Sequence, residues 1–240
     1  MGFANIIKRT TKETSGVNID LQNIVNALEF IHQHFSKLNL DYGGMIQLSQ
    51  FSDSIVISFS MKNRKEVIAI FKNIKYVQVE LLSQFKILMR GGIVIGEIIH
   101  KESLLLGPAM IDAYILESKC AMSPRIVIDP KVSYFYRKEI KELSNQRIFE
   151  NEIIISKDFD GTSYIDYFNF YDIDFFLNAN PESYFTRICE IIRDNISSSD
   201  ISIRVKYLWM RNKLKSSLFY NQDIKYRNIY KRIVTDKDEL

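Results

Sequence analysis

The chain has 240 residues, 46% of them hydrophobic and 25% charged, with a formal net charge of +3. That balance supplies one sizeable core, excludes a disordered chain, and does not mark the whole molecule as a polyanion binder. Two widely separated cysteines, Cys120 and Cys189, and no apolar run of membrane-spanning length lead to the expectation of a cytoplasmic protein with free thiols, clear of the membrane.

The predicted elements begin with a helix over residues 20–38, where Leu21, Ile24, Val25, Leu28, Ile31 and Phe35 recur at helical spacing. Residues 39–44 are turn-rich. Two apolar runs, 45–51 and 55–59, are joined by Ser52-Asp53. This predicts a β-hairpin with Asp53 at the rim of the sheet. A second helix is expected over 62–83. Residues 87–99 read as a long strand or hairpin, with Gly91, Gly92 and Gly96 marking bends or close backbone approach. Residues 107–120 read as a third helix, 125–129 as a short strand, and Pro130 opens a helix to about Leu143. Residues 153–155 and 164–168 predict an edge hairpin with 158–161 between them. Helices are expected over 181–196 and 201–220. This order argues for an α+β fold, with a mostly antiparallel sheet covered by helices on one face, and does not suit a doubly wound parallel sheet.

Two residues stand out chemically. Asp53 puts a carboxylate at a tight turn, and Arg90 puts a guanidinium at the entry to a glycine-punctuated strand. A carboxylate suits a metal and an arginine fork suits phosphate, so the pair points towards nucleotide chemistry. Each also has a structural reading: Asp53 as a turn cap, Arg90 as an arginine paired with a nearby carboxylate. Glu117 is expected to pair with a lysine, and His100 to face solvent. His32 and His34 lie two apart on a helix, face different directions and form no metal pair. Asp158-Phe-Asp-Gly161 resembles a calcium loop superficially and reads as a hairpin turn. Residues 201–234 hold nine Lys or Arg and one acid, Asp223, with interleaved aromatics. That pattern fits RNA binding or, preferably, helices that pack their aromatics inward, so a nucleic-acid partner is not expected.

In order, Phe51-Ser-Asp-Ser-Ile55, Arg90-Gly-Gly-Ile93, Ala113-Tyr-Ile-Leu-Glu117 and Pro124-Arg-Ile-Val-Ile-Asp129 resemble the class III nucleotidyl cyclase domain. More narrowly they resemble the pyrimidine cyclases of the bacterial Pycsar anti-phage systems, and Lys206-Tyr-Leu-Trp209 also fits that group. The resemblance spans residues 2–130 well and the C-terminal helices loosely. It implies a cyclase-like (ferredoxin-like) domain over residues 1–175 and a C-terminal helical extension over 176–240. It implies a homodimer with active sites at the interface, and UTP or CTP converted to a 3′,5′-cyclic monophosphate for a separate effector protein. It also implies divalent metal ions, Mn2+ or Mg2+, two per site.

Residue by residue, the resemblance makes Asp53 a metal ligand and Arg90 a contact to the terminal phosphate. The family's opening strand carries an Asp-x-x-Gly-Phe motif. Gly2 and Phe3 match its end, and its aspartate would precede Met1. Gly2, Phe3 and Ala4 would then offer backbone N–H groups to the phosphates. One carboxylate holds two metals poorly, so the alternative expectation is a catalytically inactive cyclase-like module that binds nucleotide or dimerises without turnover. Ser49 falls where adenylate cyclases carry a base-reading lysine. A hydroxyl lacks that reach, which disfavours ATP and leaves UTP and CTP open; its structural reading is an outward strand serine. Two transition-state positions of mammalian-type members fall on Ile111 and Ile115, both read as core, with Asp112 and Tyr114 beside them as candidate base or phosphate contacts.

Overall fold

The computed structural model describes residues 19–52, 54–62, 64–101, 104–144, 154–169, 181–221 and 224–234. Among the described residues the chain is α+β, as expected. It runs α1 (Ile19–Asp41), β1 (Ile46–Phe51), β2 (Ser54–Phe59) and α2 (Arg64–Glu80), which continues into a π-helical turn over Leu81–Phe85. Next come β3 (Gly91–Ile93), β4 (Ile99–Lys101), β5 (Leu104–Leu106), α3 (Pro108–Cys120), β6 (Ile126–Ile128) and α4 (Pro130–Ser144). The chain closes with β7 (Ile155–Lys157), β8 (Ser163–Ile165), α5 (Pro181–Asn195), α6 (Ile201–Asn221) and α7 (Ile224–Val234). Four of the five strand pairings among the described residues are antiparallel. Among the described residues the strands form three separate sheets where a single sheet was expected: β1-β2, β4-β5 and β3-β6-β8-β7. The chain divides into two compact units, residues 1–70 with 97–110, and residues 71–96 with 111–240. The boundary expected at 175 lies outside the described residues.

In the first unit, α1 buries Ile24, Ala27, Ile31 and Phe35, a helical stripe in which each large side chain contributes roughly 1.5–3 kcal/mol over the exposed state. Leu21 and Val25, expected on that face, are partly exposed at its margin. At the C-terminus of α1 the Gly44 N–H donates to the Asn39 carbonyl (2.8 Å), and the Asn39 side chain accepts the Ile46 N–H (2.7 Å), which ties the helix end to the start of β1. The β1-β2 hairpin pairs Phe51 with Ser54, so its loop is two residues long. Ser52 takes φ 57°, the left-handed conformation that such tight hairpin turns require. Gly107 ends β5 at φ 150°, where a Cβ would lie 2.6 Å from the Glu97 carbonyl; no larger residue fits that approach.

In the second unit, β3 runs parallel to β6, and β8 joins β6 to the edge strand β7. The long strand or hairpin expected over 87–99 is corrected: Gly91–Ile93 pairs with β6, Ile99 opens β4, and residues 94–98 belong to no strand. β6 is equally short, because Asp129 caps α4 directly after it. The Lys131 N–H donates to Asp129 Oδ1 (2.8 Å), and Pro130 occupies the first helical position, where a missing N–H costs nothing. The main core is helical. α5 buries Tyr184, Phe185, Ile188, Cys189, Ile191 and Ile192 and packs on α6, α7 and the π-helical turn. Burial, and after it the Glu190 charge, push the Cys189 thiol up to about 12. Tyr207, Trp209 and Tyr230 from the basic C-terminal stretch belong to this core, so their interleaving with lysines follows the inward and outward faces of α6 and α7.

Candidate functional site

The candidate residues fall in both units. In the first, the hairpin register places Ser49 opposite Val56 and Ser58 opposite Gln47, so both serines share one face. His100 is the buried residue of β4, between exposed Ile99 and Lys101. Its Nε2 lies 2.8 Å from Ser49 Oγ and its Nδ1 2.8 Å from Ser58 Oγ. The expectation that His100 faces solvent is therefore corrected: strand alternation turns it inward onto two hydroxyls. Burial pulls its pKa below the ordinary value and favours the neutral ring. A neutral imidazole donates from one nitrogen and accepts at the other, so one serine donates to the ring and the other accepts from it. Ser49 is thus half of a histidine clasp and not a bare outward serine. Asp53, Gly2, Phe3 and Ala4 lie outside the described residues.

In the second unit, Arg90 immediately precedes β3. Its Nε pairs with Glu117 Oε1 at 2.5 Å, and its side chain stays about half exposed. Glu117 therefore pairs with this arginine and not, as expected, with a lysine. The pairing follows from how α3 sits on β3: a Cβ at Gly92 would lie 2.7 Å from the Ala113 carbonyl and 3.1 Å from the Glu117 nitrogen. Glycine alone lets the helix come this close, and closeness brings Glu117 over Arg90. Glu117 takes Nε, and the two Nη groups have no partner among the described residues. Asp112 and Tyr114 are exposed on α3. Ile111 and Ile115, read from sequence as core, are exposed as well; the packed face of α3 is the one carrying Ala113, Leu116 and Glu117.

Sequence reasoning missed one cluster. Asp158, in the β7-β8 turn, is fully buried and accepts from Arg125 and from Trp209 Nε1 (2.8 Å), while Lys213 Nζ stands 2.5 Å from its other oxygen. Asp160 pairs with the same guanidinium, which also donates to the Cys120 carbonyl at 3.2 Å. Burial works to raise the Asp160 carboxyl, but hydrogen bonds from Arg125 and Thr162 hold it well below the usual range. The hairpin turn expected over 158–161 is present, with the Asp158 N–H donating to Thr162 O at 2.8 Å and the Gly161 N–H to Asp158 O at 3.0 Å. Its two aspartates face arginine, so their work here is structural. The available signal was an arginine opening an apolar strand and a turn rich in aspartate.

Among the described residues no three His, Cys, Asp or Glu side chains converge into a metal-binding group, and no helix is long and apolar enough to cross a membrane. No family model, curated protein or solved structure matches the chain.

Proposed function

We propose that this protein is a nucleotide cyclase that converts UTP or CTP to the 3′,5′-cyclic monophosphate and pyrophosphate. The product would be a second messenger for a separate effector in anti-phage defence. What supports the reading is Arg90 at the head of β3, steadied by Glu117 with its Nη fork open, together with the short link between β1 and β2, which in the sequence is Ser52-Asp53. In the reaction the ribose 3′-hydroxyl gives up its proton to solvent, its oxygen attacks the α-phosphorus, the bond to the oxygen bridging the α- and β-phosphates breaks, and pyrophosphate leaves with the electron pair. Arg90 binds the terminal phosphate as a fork. Ser49, on the hairpin arm before Asp53, offers the base a hydroxyl whose donor sense His100 sets. Two divalent metals, Mn2+ or Mg2+, supply charge neutralisation when bound. Asp53 is the residue that would hold them, and it is one carboxylate, with no further metal-binding group among the described residues.

The test is direct. Purified protein is incubated with each of the four nucleoside triphosphates and Mn2+ or Mg2+, and cyclic product is measured by mass spectrometry. Cyclic UMP or CMP is expected, lost in Asp53→Ala and Arg90→Ala. Absence of cyclic product from all four removes the reading. A second reading, a cyclase-like module that binds nucleotide without turnover, is favoured by the carboxylate already on Arg90. Its signature is a thermal shift with UTP or CTP and no product.

A further inference from the structure

The two hairpins of the first unit meet through three side chains. Gln47, Ser49 and Phe51 on β1 share a face with Ser54, Val56 and Ser58 on β2. The other face carries Ile46, 3% exposed, and Gln50, whose Oε1 lies 2.7 Å from His32 Nε2 of α1. α1 takes that face and leaves the serine face to β4. There His100 stands between the two hydroxyls, its Nε2 2.8 Å from Ser49 Oγ and its Nδ1 2.8 Å from Ser58 Oγ.

These are the parts of an activated nucleophile: a hydroxyl on a base, and the base oriented by a third group. A ring that donates from Nδ1 to Ser58 is held in the tautomer whose Nε2 accepts the Ser49 proton. Burial favours the neutral ring, the form able to take a proton. The ring is enclosed, while both serines stay half-buried. Position along the hairpin separates the two. Ser58 pairs with Gln47, beside buried Ile46 at the closed end. Ser49 adjoins exposed Gln50 and shares its face with Phe51, which is 52% exposed. Ser49 is therefore the hydroxyl a substrate reaches. Phe51 beside it and Val56 opposite offer an acyl group an apolar wall.

A donor for the developing oxyanion follows from strand geometry. The Ile46 N–H donates to Asn39 Oδ1 at 2.7 Å, so it points away from β2. Alternate N–H groups of a strand share a direction. The Gln50 N–H, directly after Ser49, thus also points away from β2, at an edge that pairs with no other strand among the described residues.

We propose that Ser49 is an acyl-accepting nucleophile, with His100 as its general base and Ser58 as a positioning residue, and that its substrate is a small activated carboxylic ester. Ser49 Oγ bonds to the acyl carbon, the ester C–O bond breaks, and the serine proton passes through His100 Nε2 to the departing alkoxide. Water then attacks the acyl-serine, one of its protons passes through Nε2 to Ser49 Oγ, and the carboxylic acid leaves. Ser58 is neutral where a carboxylate would also stabilise the imidazolium, so the second step is slow and the acyl-serine accumulates. The inference rests on this hydrogen-bond geometry and goes beyond the nucleotide reading.

In the experiment the full chain is mixed with p-nitrophenyl acetate, nitrophenolate release is followed by absorbance, and peptide mass spectrometry locates the acetyl group. A burst of about one equivalent is expected, with the acetyl on Ser49. Ser49→Ala removes the burst. His100→Gln slows it about 100-fold or more, the ordinary contribution of a general base. Ser58→Ala slows it about tenfold or more, and Ser58→Thr, which keeps the hydroxyl, returns it to within about threefold of the parent rate. Circular dichroism checks that each variant is folded, and the Ser58 pair decides the matter if His100→Gln unfolds. No acetyl on Ser49, an acetyl on Ser58 in its place, or acetylation indifferent to folded His100→Gln or to Ser58→Ala would each overturn the proposal. Acetyl-Ser49 obeying these substitutions without cyclic product would support it and remove the cyclase reading; cyclic product with no acetyl on Ser49 would do the reverse.

Discussion

Trp209 on α6 donates its indole N–H to the buried carboxylate of Asp158 in the β7-β8 turn, at 2.8 Å. The same carboxylate answers Arg125 and Lys213, so one anion neutralises charge brought from β6's entry and from α6. Asp158→Ala takes the carboxylate from Lys213 and leaves Arg125 with Asp160 as its one remaining anion among the described residues, and is expected to cost about 3–5 kcal/mol. Trp209→Phe removes a hydrogen bond and part of a ring, and should cost about 1–3 kcal/mol. Urea denaturation measures both. A loss under about 1 kcal/mol for Asp158→Ala would show that the cluster does not hold the fold together.

Asp160 predicts an acid-side loss of stability. Its carboxyl lies below its ordinary value of 3.8 in the folded chain. On acidification the unfolded chain takes up this proton first, so below that value the unfolded state binds more protons and stability falls with pH. The contribution is complete above about pH 4 and declines as the pH drops towards the folded value. Denaturation midpoints measured on either side of pH 4 should show a shallower decline in Asp160→Asn.

His100 acts at milder pH and through burial. Its folded pKa lies below 6.5, so as the pH falls through 6.5 the unfolded chain charges this ring while the folded chain keeps it neutral. The stabilisation is full above that pH and diminishes below it. The His100 ring resonances in proton NMR should titrate below 6.5. His100→Gln should flatten the stability profile between pH 7 and 5, roughly the interval where a histidine exchanges its proton. A ring that titrates at or above the ordinary value would rule out the enclosed, doubly bonded imidazole.

Gly92→Ala tests how α3 rests on β3. The added methyl would meet the Ala113 backbone oxygen at 2.7 Å, and backbone cannot swing aside as a side chain can. The helix must lift, at about 1–3 kcal/mol, and the Arg90–Glu117 contact should lengthen with it. Thermal melts give the first quantity. A crystal structure of the variant gives the second, and an unmoved α3 would contradict the tight approach.

Much of the secondary structure was readable because local signals agreed with tertiary demands. An apolar run and a β-branched run around a two-residue link made the β1-β2 hairpin, and Pro108 and Pro130 opened helices where their rings are tolerated. The errors arose where a partner decided. Residues 94–98 look like strand, yet β6 ends at Ile128 and offers β3 nothing further to pair with. Ile111 and Ile115 have core spacing, but the glycine beneath α3 selects the opposite face. His100 sits on a strand whose alternation alone cannot say which side carries the two serines that receive it. Asp158 needed Arg125, Trp209 and Lys213, partners 33 to 55 positions away, before its role could be seen.

The burial of Cys189 makes the protein its own reporter. Cys189 is enclosed and protonated at neutral pH, whereas Cys120 is partly accessible, and thiol reagents require the thiolate and an open path. A maleimide should mark the native chain once, at Cys120. The second label should arrive only when the packing of α5 on α6 and α7 breaks, so its rate of appearance times the opening of the helical core.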